Sequence, residues 1–281
     1  MRLGYNTNGL AHHRLTDAID LLASLGYQSV AITIDHGALS PLDDQCSQQL
    51  SRVGQLLEQH RMHSVIETGA RFLLDPMHKH EPTLLSPMES ERARRVNFLC
   101  HAVDMAAALH SDCVSIWSGI LPTEENHQVG MRRLAAGLQQ VLVYADKQGV
   151  TVALEPEPGM LIDTMISFRQ LLEQFDLPQL VLTLDLGHLH CLGETPIADV
   201  VRQWRDLLRN VHIEDMRAGI HEHLMFGEGE IDFTPILGAL AEVGYRGGLH
   251  VELSRHSHQG PTAAKEAMAF LKPLVEKSIT Q

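Results

Sequence analysis

The sequence predicts an α/β fold, a (β/α)₈ barrel of eight parallel strands ringed by helices, and three observations predict it. Eight short apolar runs alternate with longer amphipathic stretches. The length of 281 residues is close to the roughly 250 typical of such barrels. The later runs finish in carboxylates or a histidine, at the strand ends where barrels of this class carry their chemistry.

The strand runs, in order, are residues 3–7, 29–34, 64–68, 113–117, 150–155, 180–185, 210–214 and 248–253. Each is short and rich in apolar, often β-branched side chains, as a strand buried on both faces requires. Between the first two lies a helix over 15–25, with Leu15, Ile19, Leu22 and Leu25 at helical spacing and Gly26 as its stop. Further long amphipathic helices are predicted over 89–109, 129–148 and 262–275. Strand alternating with helix implies βαβ units and a parallel sheet. An open doubly wound sheet would show a glycine-rich turn after its first strand, and Asn6-Thr7-Asn8-Gly9 is no such turn. No linker or repeat divides the chain, so one domain over 1–281 is expected. The longest irregular segment, 69–87 after the third strand, is of a length that usually serves function.

Composition narrows the function. The net charge of −13 works against a polyanionic partner such as a nucleic acid. No run approaches the ~20 apolar residues of a membrane span. Cys46, Cys100, Cys113 and Cys191 have no paired spacing, so free thiols and a cytoplasmic location are expected.

The chemistry is read from the strand ends. The third run ends in Glu67, the fourth near Trp117, the fifth in Glu155, the sixth in Asp185 with His188 one turn on, the seventh in His212 followed by Glu214 and Asp215, and the eighth in Glu252. One such acid alone is an ordinary loop residue. Four consecutive strands ending in Glu, Asp, His and Glu converge around a ring, and buried carboxylates need compensation. A divalent cation on Glu155, Asp185, His212 and Glu252 supplies it. Three carboxylates and one imidazole suit Mn²⁺, Mg²⁺, Co²⁺ or Zn²⁺.

The segments Ala153-Leu154-Glu155-Pro156, Leu184-Asp185-Leu186-Gly187-His188, Val211-His212-Ile213-Glu214-Asp215 and His250-Val251-Glu252 resemble the signatures of the xylose-isomerase-like TIM-barrel superfamily. That group holds sugar isomerases, sugar-phosphate epimerases, some dehydratases and the endonuclease IV type of nuclease. The resemblance implies one metal on the four residues named, with His188 contacting substrate or a further metal. The stretch from His221 to Asp232 also resembles the endonuclease IV segment that carries an Asp-x-His pair before Gly-Glu-Gly. Here His221 stands for the Asp and His223 matches the His, so with His188 they are candidates for a second metal or for substrate.

The expected activity is isomerisation or epimerisation of a sugar or sugar phosphate through an enediolate. Metal would polarise a carbonyl, and Glu155 and Glu252 would exchange the proton beside it. Glu67, Arg71, Trp117, Glu157 and Arg217 are candidate substrate contacts, and Phe72 a candidate floor of the pocket. Lys79, Arg255, His78 and His80 are further loop candidates at the same end. A multi-metal phosphoesterase and a metal-dependent dehydratase are the alternatives. The expected partner is a small molecule, with a homo-oligomer left open.

Overall fold

A computed structural model describes residues 1–280 of the chain. The first third runs β1 (Arg2–Asn6), a 3-10 turn (Thr7–Leu10), α1 (Leu15–Leu25), β2 (Ser29–Thr33), α2 (Cys46–His60), β3 (His63–Glu67) and α3 (Glu89–Leu109). There follow β4 (Val114–Trp117), α4 (His127–Gln148), β5 (Val152–Glu155), α5 (Met165–Gln174), β6 (Leu180–Asp185), α6 (Leu186–Cys191) and α7 (Ile197–Trp204). The chain continues through β7 (Leu208–Ile213), β8 (Asp215–Arg217), β9 (Ile220–Leu224), α8 (Phe233–Glu242), β10 (Gly248–Val251), a second 3-10 turn (Ser254–Gln259) and α9 (Gly260–Thr280).

Eight of these strands close into a parallel barrel in the order β1-β10-β7-β6-β5-β4-β3-β2. All eight predicted runs are barrel strands, displaced by no more than two residues at either end. Gly26 does end α1, in the left-handed conformation at φ 93°, where a side chain would be strained. Two elements were not among those predicted. The segment around His221 and His223 is not a loop but half of an antiparallel hairpin, β8 with β9, that stands outside the barrel. Helix α2 carries few apolar residues; only Val53, Leu56 and Leu57 are buried, so its periodicity is faint in the sequence.

The core lies between the barrel and its helices, where α3 and α4 contribute Leu99, Val103, Leu134 and Leu138, all buried. Ala31, Val65, Cys113 and Ala153 form a second, smaller cluster of buried residues. All four cysteines are free thiols. Segment 69–87 is irregular but anchored, with Leu73, Leu74, Leu84 and Leu85 buried beneath it. Among the described residues no helix is long and apolar enough to cross a membrane.

Candidate metal centre and substrate cavity

Parallel closure brings every strand's C-terminal end to one mouth, and four of them deliver donors to a common point. Glu155 ends β5 and Asp185 ends β6, His212 lies one residue before the end of β7, and Glu252 follows β10. One ligand atom from each of the four lies within 4.8 Å of all the others. His212 Nδ1 is 2.9 Å from Glu155 Oε1, 3.0 Å from Glu252 Oε2 and 3.9 Å from Asp185 Oδ2.

The opposite nitrogen of His212, Nε2, lies 2.9 Å from Glu67 Oε1. A neutral imidazole has one proton. With Nε2–H donating to Glu67, Nδ1 presents a bare lone pair to two carboxylate oxygens. That is tolerable only if a second proton or a cation sits between them. Burial opposes the charged imidazolium, yet Glu155, Glu67 and Glu252 hold its pKa well above 6.5. Asp185 Oδ2 is buried without any hydrogen-bond partner, while its Oδ1 accepts the His188 N–H at 2.8 Å. A crowded acid ring, an imidazole with its outer nitrogen tied to a carboxylate, and an orphaned carboxylate oxygen together fit a divalent ion.

The two outer acids of this ring differ. Burial raises the Glu155 carboxyl to about 8, against the pull of His212. Burial acts the same way on Glu252, but His212, His223 and His188 outweigh it and lower its pKa. Asn8 Nδ2 donates to Glu252 Oε1 at 2.7 Å, which fixes the other oxygen toward His212.

A second cluster adjoins the first. His188, His221 and His223 also bring ligand atoms within 4.8 Å of one another, as do Glu155, Glu157 and His188. His188 Nδ1 is 3.3 Å from the Pro156 carbonyl and His223 Nδ1 is 3.1 Å from the Glu252 carbonyl. Both therefore donate through Nδ1; His188 Nε2 is buried without a partner, and His223 Nε2 lies 3.3 Å from His221 Nε2. Burial, more than its neighbours, takes the pKa of His188 down to about 4 and lowers that of His221. Glu157 approaches the cluster, 3.9 Å from Nε2 of both His188 and His221. Burial and Glu155 push its pKa well up.

Above the ring opens a cavity of about 580 Å³. Glu67, Arg71, Lys79, His80, Trp117 and Glu157 line it, whereas Asp185 and His188 lie buried below its floor. His80 packs edge-on against Trp117, 5.2 Å between centroids, and the buried Arg95 guanidinium lies over that ring, 4.4 Å from its centroid. Arg71 is 3.8 Å from Asp35 and Arg255 is 3.0 Å from Glu222. Three expected contacts are absent from the cavity wall. Arg217 is exposed on the hairpin and donates to the Glu228 carbonyl at 3.1 Å. Phe72 is 44% exposed on the outer side of its loop, and His78 pairs with Asp75 at 3.1 Å.

The hairpin is set by Asp215. Its Oδ1 accepts from the N–H groups of Met216 at 3.0 Å and Ile231 at 3.1 Å, and its Oδ2 from Gly227 at 2.8 Å and Gly229 at 3.0 Å. A Cβ at Gly229 would lie 2.3 Å from Asp215 Oδ1, so this glycine allows the close approach. Glu214 beside it is buried, and burial, together with Asp185 and Glu252, pushes its carboxyl well up.

Residues 19–274 match the sequence profile described as the xylose isomerase-like TIM barrel. The chain belongs to the xylose isomerase-like TIM-barrel family. L-ribulose-5-phosphate 3-epimerase UlaE of Escherichia coli O1:K1 is 23% identical over 251 residues, 88% of this chain and 84% of that enzyme. An inosose dehydratase of Lacticaseibacillus casei is 29% identical over 157 residues, half of this chain and 51% of the enzyme. A protein of Methanocaldococcus jannaschii is 28% identical over 173 residues; the match spans 58% of either chain. Among solved structures, a D-tagatose 3-epimerase-like protein superposes with a TM-score of 0.81 at 21% identity, covering 99% of this chain and 100% of that one. The IolI protein with a bound zinc atom gives 0.79 at 17% identity, covering both chains fully. Family members thus include sugar epimerases and a dehydratase.

Within this family fold, sequence reasoning found the acid ring but missed Asn8, the service of Glu67 to His212, and the anchoring by Asp215. Only Glu67 carried a usable signal, as an acid ending a buried strand.

Proposed function

We propose that the protein is a divalent-metal-dependent epimerase or isomerase of a sugar or sugar phosphate, which moves a proton at the carbon beside a carbonyl. One observation carries the reading. Glu155 and Glu252 flank His212 Nδ1 at 2.9 and 3.0 Å, and their surroundings drive their pKa values apart, upward for Glu155 and downward for Glu252. Two carboxyls so separated divide into an acid and a base.

An ion held by Glu155, Asp185, His212 and Glu252 would supply Lewis-acid polarisation of the substrate carbonyl. Glu252, the more acidic partner, is ready to accept a C–H proton, with Asn8 holding its second oxygen in place. Glu155, on the other side of His212, is placed to return a proton to the enediolate of the substrate. Delivery from the opposite face inverts that carbon; delivery to its neighbour isomerises the sugar. Glu67 holds His212. Trp117 and His80 offer a flat wall for a sugar face, and Arg71 and Lys79 offer donors for hydroxyl or phosphate oxygens. The sugar epimerases among the relatives support this class of substrate.

A second reading, a multi-metal phosphoesterase, is favoured by the three imidazoles of His188, His221 and His223. A dehydratase would use the same base and ion, and one relative is an inosose dehydratase. Metal-loaded protein should be incubated in D₂O with a panel of ketoses and ketose phosphates. The proposal expects deuterium at the carbon beside the carbonyl, with one metal ion per chain by elemental analysis. No exchange across the panel, together with two or three ions and release of phosphate, would overturn it in favour of hydrolysis. Loss of water from a keto-cyclitol would favour the dehydratase.

A further inference from the structure

The motif His250-Val251-Glu252 leaves one residue without a role. His250 is fully buried inside the barrel, and a glycine on the neighbouring strand and another on its own strand make room for it. A Cβ at Gly4 on β1 would lie 2.2 Å from His250 Cδ2, and one at Gly248 would lie 2.1 Å from Cε1. An imidazole admitted at the expense of two glycines needs partners for both its nitrogens. It has them. Nε2 is 2.9 Å from Ser29 Oγ, and Nδ1 is 2.7 Å from Asn210 Oδ1. Asn210 Nδ2 then reaches Glu67 Oε1 at 3.2 Å, the oxygen that also meets His212 Nε2.

We infer that Ser29, His250 and Asn210 are positioning residues, a one-way hydrogen-bond relay through the barrel interior that fixes which nitrogen of His212 faces the acid ring. The inference rests on the metal reading above. Its direction follows from donor counting. Glu67 Oε1 accepts from His212 Nε2–H, so Asn210 must present its NH₂ to that oxygen; the flipped amide would set two acceptors 3.2 Å apart. Asn210 Oδ1 is thereby turned to His250 and can only accept, so His250 carries its proton on Nδ1. Fully buried, with only a hydroxyl and an amide oxygen on its two nitrogens and no carboxylate to balance a charge, the His250 ring is neutral. Its Nε2 is thus an acceptor, and the Ser29 hydroxyl donates. Every donor in the chain points toward Glu67, and such aligned bonds reinforce one another. Asn210 Nδ2 also lies 3.2 Å from His212 Nε2. Both are donors, so their common acceptor is Glu67. Held in this way, Glu67 accepts the hydrogen bond from His212 Nε2–H and leaves Nδ1 as the ligand atom toward Glu155, Asp185 and Glu252.

The test uses the full chain, labelled with ¹⁵N-histidine, in metal-free and Zn²⁺-loaded forms. Long-range ¹H–¹⁵N spectra are expected to show His250 neutral with its proton on Nδ1 in both forms, and the His212 proton on Nε2 in the loaded form. A His250 proton on Nε2 overturns the relay. Zn²⁺ affinity is then measured by competition with a chromophoric chelator. Asn210→Leu should weaken it by about 10- to 100-fold and Ser29→Ala by about threefold. An Asn210→Leu protein with native near-UV dichroism and wild-type affinity overturns the relay. Should that variant not fold, unchanged affinity in Ser29→Ala does the same. A wild-type protein that binds no divalent ion overturns the metal reading instead, and the His250 tautomer of the metal-free protein still decides for or against the relay.

Discussion

Stripping the metal should reverse how stability depends on pH. In the metal-free protein the space between the acids is served by protons. Burial raises Glu155 from 4.5 to about 8, so the folded state binds that proton more tightly than the unfolded chain, and stability falls as pH climbs from about 4.5 to 8. At ~1.4 kcal/mol for each tenfold change in proton affinity, this one group accounts for up to roughly 5 kcal/mol. His212 adds to the trend. Its pKa stands above 6.5 when folded, so its contribution is whole below that pH and is lost as pH rises through the folded value. Asp185 and Glu252 oppose at the acid end. Both are lowered, and their stabilisation fades only as pH falls below their ordinary values of 3.8 and 4.5. His188 and His80, both lowered by burial to about 4, work the other way and add stability as pH rises to 6.5. The metal-free protein should therefore be most stable near pH 6.5. Between there and pH 8 Glu155 alone should lower its melting temperature by about 4–8 °C, at roughly 2–4 °C per kcal/mol for a chain of about this size. A bound ion replaces the protons, and its affinity rises with pH; saturation at about 100 times Kd adds roughly 2.7 kcal/mol. Scanning calorimetry of chelator-treated and reloaded protein from pH 5 to 9 measures both curves. A metal-free melting temperature that climbs from pH 6.5 to 8, or two superimposable curves, would refute this account of the ring.

Three further outcomes are expected. Glu155→Gln and Glu252→Gln should each lower turnover by at least about 100-fold with the barrel intact by circular dichroism; wild-type kcat in either would remove the proton-transfer pair. Asp215→Asn keeps one accepting oxygen but turns an NH₂ toward two backbone N–H groups. The loss should be about 3–6 kcal/mol at 1.5–3 for each charge-assisted bond, read by urea denaturation together with proteolysis near residues 217–228; a change under about 1 kcal/mol would contradict it. Shortening the loop between Leu74 and Leu84 removes Lys79 and His80 from the cavity wall, so KM should rise and kcat fall while Zn²⁺ affinity stays. Unchanged kinetics in a metallated deletion would make this loop a surface excursion.

Much of this was legible because barrels put their strand ends to one use. Glu155, Asp185, His212 and Glu252 break the apolar pattern where burial is greatest, and a charge in that position shows in any reading of periodicity. The partnerships were not legible, because they join residues far apart in the chain: Glu67 with His212 at 2.9 Å, and Asn8 with Glu252 at 2.7 Å. Asn8 lies in the 3-10 turn after β1; nothing local reveals that its amide faces a carboxylate just past the last strand. Loop side chains were least legible. Periodicity gives no direction to a residue outside a regular element, so Arg71 and Lys79 reached the cavity while Arg217, Phe72 and His78 did not. The hairpin was hidden because Ile220–Leu224 is largely polar and lacks the alternation that marks a half-buried strand.

The grip of Asp215 on its loop has a consequence for how such an enzyme can change. One buried carboxylate holds the backbone of Gly227, Gly229 and Ile231 through main-chain N–H groups, so the attachment is indifferent to the side chains carried between its two ends. The stretch from Arg217 to Phe226, which brings His221 and His223 over the acid ring, is in effect a cassette with fixed termini. Its contents can be rewritten, by mutation or by graft, without renegotiating the barrel. A change of chemistry on this scaffold would then begin in about ten residues of hairpin, while the strands that hold the acids stay as they are.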